Sequence, residues 1–133
     1  MDQILDRLYL GDFADAERVT ISQCTCVITL CERPPVLTSA QIDHIHAPIP
    51  DEVWLPPYRW SELVHTVAQE LKKRQTVLIH CRLGVSRSPS VVAAYLAQCG
   101  YRLEHALAYL VAQRSVVAPH AETWRGVVEW GQK

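Results

Sequence analysis

Thr76-Val77-Leu78-Ile79-His80-Cys81-Arg82-Leu83-Gly84-Val85-Ser86-Arg87-Ser88-Pro89 changes character twice. Thr76 to His80 is a short, continuous apolar run, the pattern of a strand buried on both faces. It passes directly into a turn and then into a helix expected from about Ser86 to Gln98, closed at Gly100, where a left-handed cap costs little. Pro89 suits the first turn of that helix, because its missing N–H is not needed there. In a strand, loop and helix joined in this way, the N–H groups of the loop and of the first helical turn lack internal partners and converge on an anion. Gly84 lets the chain bend close to that ligand with no Cβ in the way.

Cys81 opens this nest and Arg87 follows six residues later. The N–H dipoles and the guanidinium both favour thiolate over thiol, so Cys81 is expected to be largely ionised at neutral pH. Arg87 can return across the loop and offer a planar fork to two phosphoryl oxygens, a geometry lysine cannot reproduce. Its charge also matches that developing on the equatorial oxygens during phosphoryl transfer. The loop and Arg87 supply the positive field, so no metal or other cofactor is expected. The plainer reading makes Cys81 a small buried hydrophobe and Arg87 a surface charge; the strand-loop-helix context and the adjoining Ser88 weigh against it.

Working outward, Ile4 to Leu10 predicts one or two short strands ending at Gly11, and Asp12 caps a short helix through about Val19. Cys26 to Leu30 is a second buried strand, stopped by Pro34-Pro35, and His44 to Ile49 is the next, closed by Pro50. A turn of helix is expected at Ser39 to Gln41. Trp60, Leu63, Val64, Val67 and Leu71 recur at helical spacing within Tyr58 to Lys73, with Gln69, Glu70, Lys72 and Lys73 on the opposite face. Leu103, Ala106, Leu107, Leu110 and Val111 predict another helix, and Trp124, Val127 and Val128 a last one after Pro119. Strands alternating with helices predict an α/β fold whose central, mostly parallel sheet of four to five strands is flanked by helices. The 133 residues suit a single domain spanning 1–133.

Apolar residues make up 49% and charged residues 20%, the composition of a soluble globular protein. Thirteen Lys and Arg against 14 Asp and Glu leave a net charge of −1, which supplies no general field for nucleic acid or acidic lipid. No apolar run reaches the length of a bilayer span and no leader pattern opens the chain, so a cytoplasmic protein without membrane insertion is expected. The five cysteines, Cys24, Cys26, Cys31, Cys81 and Cys99, form no regular disulfide framework, which favours a reducing compartment. Cys24, Cys26 and Cys31 lack a second ligand pair at finger-like spacing, so core packing is the better reading than zinc.

Cysteine, five residues, arginine and a hydroxyl residue is also the signature of the cysteine phosphatases, and His80 to Pro89 closely resembles that of dual-specificity phosphatases. The resemblance extends from Leu8-Tyr9-Leu10-Gly11 through Ala94-Tyr95-Leu96 to the last helix. It implies the cysteine-phosphatase fold and hydrolysis of phosphomonoesters through a phosphocysteine on Cys81, with Arg82 to Arg87 binding the phosphate. The family places its general acid on a loop matching Asp51, which lies 30 residues before Cys81 and directly after a predicted strand; Glu52 is the alternative. The pattern further implies that Ser88 hydrogen-bonds the sulfur and helps it leave. His80 is expected to steady the loop, and Glu32 either orients Arg87 or is a plain surface charge. Cys31 resembles a second cysteine that some relatives join to the nucleophile on oxidation; strand packing is its other reading. Relatives often carry an asparagine ahead of the last helix, and the histidine at His120 puts that bracing role in doubt.

The first strand opens the chain almost at once, so the additions that deepen the pocket of tyrosine-only relatives are not expected. The expected substrates are phosphotyrosine and phosphoserine or phosphothreonine in proteins, or a small phosphoester, handled by a monomer. Trp54 and Trp60 are candidates for the pocket rim, although Trp60 also fits the core face of its helix. Competing readings are a phosphatase for inositol lipids or nucleotides, an inactive phosphate-binding module, and a thiol redox enzyme of the arsenate reductase type. The last has its cysteine near the N-terminus and its acid far downstream, the reverse of the order here.

Overall fold

The computed structural model describes residues 1–132. The elements run β1 (Asp2–Leu5), β2 (Leu8–Gly11), α1 (Phe13–Arg18), β3 (Cys26–Thr29), β4 (Asp43–His46), α2 (Pro57–Lys72), β5 (Val77–His80), α3 (Arg87–Gln98), α4 (Leu103–Gln113) and α5 (Ala121–Gly131). They form one five-stranded sheet in the order β1-β2-β5-β3-β4. β1 is antiparallel to β2, and β2, β5, β3 and β4 are mutually parallel.

Every residue of β3 and β5 is buried, because both strands are central and helices cover both faces. Alternation divides their side chains. Val27 and Leu78 face the smaller core under α1, with Ala16 and Val19, whereas Cys26, Ile28, Val77 and Ile79 face the larger core built with α2, α3, α4 and α5. Cys24, which precedes β3, packs in the smaller core and Cys26 in the larger one, and burial pushes their thiols up to about 11 and about 12.

Three local expectations change. The strand read as His44 to Ile49 ends at His46. Ala47 and Ile49 still donate to Thr29 and Leu30, but Pro48 and Pro50 have no N–H to continue the ladder. Ser39 to Gln41 is a turn and not a helix: the Ser39 hydroxyl accepts from the Gln41 N–H at 3.1 Å, competing with helical pairing. Glu70 is not on an open polar face. It is 6% exposed at the end of α2, where Lys73 and Gln75 donate to its two carboxylate oxygens.

The C-terminal ends of the parallel strands carry a directed hydrogen-bond chain. His80 Nδ1 lies 3.1 Å from the Cys81 carbonyl, an acceptor, so that nitrogen holds the proton. In the neutral ring Nε2 is then an acceptor, and it takes the Thr29 hydroxyl hydrogen at 2.7 Å. The same hydroxyl oxygen accepts from His44 Nε2 at 2.6 Å. Burial disfavours the charged ring and lowers the pKa of His80 from 6.5 to about 4.

Two predictions follow from this packing. A Cβ on Gly126 would stand 2.9 Å from the Leu55 carbonyl oxygen and 3.0 Å from the Trp60 indole nitrogen, neither of which can swing aside. Gly126→Ala is expected to lower unfolding free energy by about 1–2 kcal/mol in urea titration, overpacking outweighing the gain in helix propensity. His80 binds its proton more readily unfolded than folded, so its contribution is complete above pH 6.5 and is lost as pH falls through about 4. Between pH 7 and pH 5 the wild type should lose about 2 kcal/mol more stability than His80→Asn.

Candidate active site

In an open parallel sheet, ligands are met beyond the carboxyl ends of the strands. Here that edge carries Asp12 and Phe13 after β2, Cys31 and Glu32 after β3, Asp51 after β4, and the loop from Cys81 to Ser86 after β5. All the carbonyls of this loop are occupied. Cys81 accepts from His80, Arg82 from the Phe13 N–H at 3.1 Å, and Val85 from the Ala118 N–H at 2.8 Å. Leu83 and Gly84 accept from Arg114 Nη2 and Nε at 3.2 and 3.1 Å, and Ser86 accepts from Ser90. A peptide unit points its N–H opposite its carbonyl, so a loop whose carbonyls are tied outward turns its N–H groups inward. Gly84 makes the turn possible with φ +67°, and a Cβ there would meet the Gly11 carbonyl oxygen and Arg114 Nη2, both at 2.7 Å.

Inside the turn is a cavity of about 190 Å³ lined by Cys81, Arg82, Leu83, Val85, Ser86 and Arg87 from the loop and by Asp51, Glu52, Ala118 and His120 around it. Cys81 is buried, with its sulfur 3.2 Å from the Ser88 hydroxyl and 3.5 Å from the Ser88 N–H. Arg87 is only 4% exposed. Its Nη1 donates to Glu32 Oε1 and to the Ile49 carbonyl, both at 3.1 Å, and its Nε lies 3.6 Å from Asp51 Oδ1. With Nη1 committed, the edge formed by Nε and Nη2 is the one left for a ligand. A hydrogen bond to its own backbone N–H holds Glu32 below the usual carboxylate range, and the charge of Arg87 adds to this.

The structure thus gathers the loop residues, Arg87 and Asp51 around one cavity. Glu52 lines it too, in a left-handed conformation with φ 60°. Gly84, Ser88 and His80 are buried. Ser88 touches the sulfur, and His80 holds the Cys81 carbonyl. Cys31 lies in an adjoining cavity with Glu32 and Arg82, its thiol pushed up by burial and pulled back by Arg87. Trp60 is fully buried, and Trp54 turns to α5, donating to Glu129 at 2.9 Å, so neither indole forms the rim. The His120 ring caps α5 by accepting from the Glu122 N–H, while its backbone N–H donates to the Ser86 hydroxyl at 2.8 Å. A main-chain group there braces the loop. Sequence reasoning missed Arg114, Thr29 and His44. Each acts through partners at least 15 positions away, which no local pattern announces.

The sequence matches the family model described as "Dual specificity phosphatase, catalytic domain" over residues 8–133. Dual specificity protein phosphatase 14 of Mus musculus is 29% identical over 136 aligned residues, covering 96% of this chain and 67% of that protein. Protein phosphatase Slingshot homolog 1 of Homo sapiens is 36% identical over 72 residues, covering 53% of this chain and 7% of that much longer protein. The crystal structure of human DUSP28 matches with a TM-score of 0.90 at 18% identity, covering 99% of this chain and 96% of that one. That of DUSP15 matches with a TM-score of 0.86 at 25% identity, covering 98% and 86%. A family match that leaves out only the first seven residues, on a fold shared with these structures, means that the chain belongs to the dual-specificity phosphatase catalytic-domain family.

Proposed function

We propose that the protein hydrolyses phosphomonoesters through a phosphocysteine on Cys81, acting on phosphotyrosine and on phosphoserine or phosphothreonine in proteins. The observation that carries this reading is the loop with every carbonyl turned away from Cys81 and Arg87. Phosphoryl oxygens take the inward N–H groups and the Nε–Nη2 edge of Arg87, displacing Asp51 from the guanidinium. The Cys81 thiolate attacks phosphorus; the sulfur–phosphorus bond forms as the bond to the leaving oxygen breaks. Asp51 in its acid form gives that oxygen its proton. In the second step Asp51 takes a proton from water, whose oxygen attacks phosphorus and releases inorganic phosphate. The Ser88 hydroxyl, 3.2 Å from the sulfur, stabilises the departing thiolate. Asp51 and Leu83 are 51% and 60% exposed at the mouth, which supports a shallow site able to take short seryl and long tyrosyl phosphates alike. Five cysteines without a regular disulfide framework in the sequence support a reducing, cytoplasmic setting.

Hydrolysis of para-nitrophenyl phosphate and of phosphopeptides tests the proposal. Cys81→Ser is expected to abolish turnover, and Asp51→Asn to lower kcat by roughly 10²–10⁴, more for seryl than for aryl leaving groups. Ser88→Ala should leave the first step intact and accumulate phosphocysteine, seen as a burst. Turnover surviving Cys81→Ser would overturn the mechanism. Turnover confined to inositol or nucleotide phosphates would overturn the protein substrate, and phosphate binding without turnover would mark an inactive binding module.

A further inference from the structure

Beside the Cys81 cavity lies a second of about 350 Å³, lined by Phe13, Cys31, Glu32, Arg33 and Arg82. Arg82 lines both, so the two cavities adjoin at that residue. The charge balance of the second is lopsided. Glu32 is its one acid, and that carboxylate is bound to Arg87 at 3.1 Å. Among the described residues neither Arg33 nor Arg82 has a carboxylate within ion-pair distance. Arg33 is also held in place, its guanidinium carbon 4.7 Å from the centre of the Phe13 ring. Phe13 is anchored in turn by its N–H on the Arg82 carbonyl and by edge contact with the His80 ring. A stacked guanidinium keeps its N–H edge free for an anion, and a planar fork suits phosphate or carboxylate.

We infer that Arg33 and Arg82, stacked against and tied to Phe13, form a subsite for a second anionic group on the same peptide, a phosphate or a carboxylate close in sequence to the phosphoresidue being hydrolysed. This rests on the phosphatase reading of the neighbouring cavity and adds a substrate preference to it. A peptide is favoured over a sugar phosphate because apolar surface flanks the charges: Phe13 walls the subsite, and Leu83, 60% exposed, stands on the loop beside Arg82. Both arginines are exposed, so the gain is that of solvent-facing ion pairs and falls with salt.

The test compares three phosphotyrosine peptides that differ at flanking positions: neutral, glutamate-bearing and bearing a second phosphate. The wild type is expected to show kcat/KM about three- to tenfold higher for the acidic peptides, with the advantage shrinking at high salt. Arg33→Ala should remove most of that advantage, and Arg33→Glu should reverse it, while para-nitrophenyl phosphate is hydrolysed at the wild-type rate by both. Binding of the same peptides to Cys81→Ser protein reads the preference without turnover, so loss of all hydrolysis would count against the phosphatase reading and leave the subsite judged by binding. The doubly phosphorylated and glutamate peptides distinguish phosphate from carboxylate as the group preferred. Equal handling of neutral and acidic peptides by the wild type, or an advantage that survives Arg33→Ala, would overturn the inference. An Arg33-dependent gain seen with inositol bisphosphates and not with peptides would overturn the peptide assignment.

Discussion

A loop of six residues can hold an anion only if something else holds its carbonyls, and the fold is arranged around that constraint. The partners come from five directions: the end of β5, the start of α1, the end of α4, the segment before α5 and the first turn of α3. Of these partners only Ala118 also lines the cavity. The convergence of N–H dipoles on the cavity is therefore a tertiary property, although the residues that use it are contiguous in sequence. It also explains why Arg114, remote from Cys81 along the chain, is among the more confined arginines, held by two carbonyls and by Asp2 at 3.0 Å.

Arg87 illustrates how a buried cation is made tolerable. A charge in low dielectric is costly unless paired and hydrogen-bonded, and Arg87 divides its guanidinium between a carbonyl, Glu32 and Asp51. The two acids differ in closeness: Glu32 binds Nη1 directly, whereas Asp51 stands at 3.6 Å from Nε. The nearer one fixes orientation. The looser one can yield to a ligand.

Much of this arrangement could be read before the structure. Runs such as Val77 to His80 and Cys26 to Thr29 are fully buried strands, and an uninterrupted apolar stretch has few other uses at that length. The period of Trp60, Leu63, Val64 and Val67 described α2, and Asp12 is the cap of α1 with a reciprocal bond from Asp15. What escaped was decided by contacts distant in sequence. Trp54 sits three positions from Asp51, yet its indole is claimed by Glu129 on α5. β4 was read too long because it lies at the sheet edge, where one neighbour and two prolines set its end. The bracing of Ser86 by the main chain at His120 was invisible for a different reason: a backbone N–H has no residue type.

The pair between Asp2 and Arg114 joins the outermost strand to the carbonyls of Leu83 and Gly84. The Tyr109 hydroxyl, on α4 as well, donates to the Ile4 carbonyl of the same strand. The edge hairpin thus works as a strut. A load that sheared β1 along its axis would pass through one guanidinium to the floor of the anion nest, so the margin of the sheet and its chemical centre are coupled mechanically.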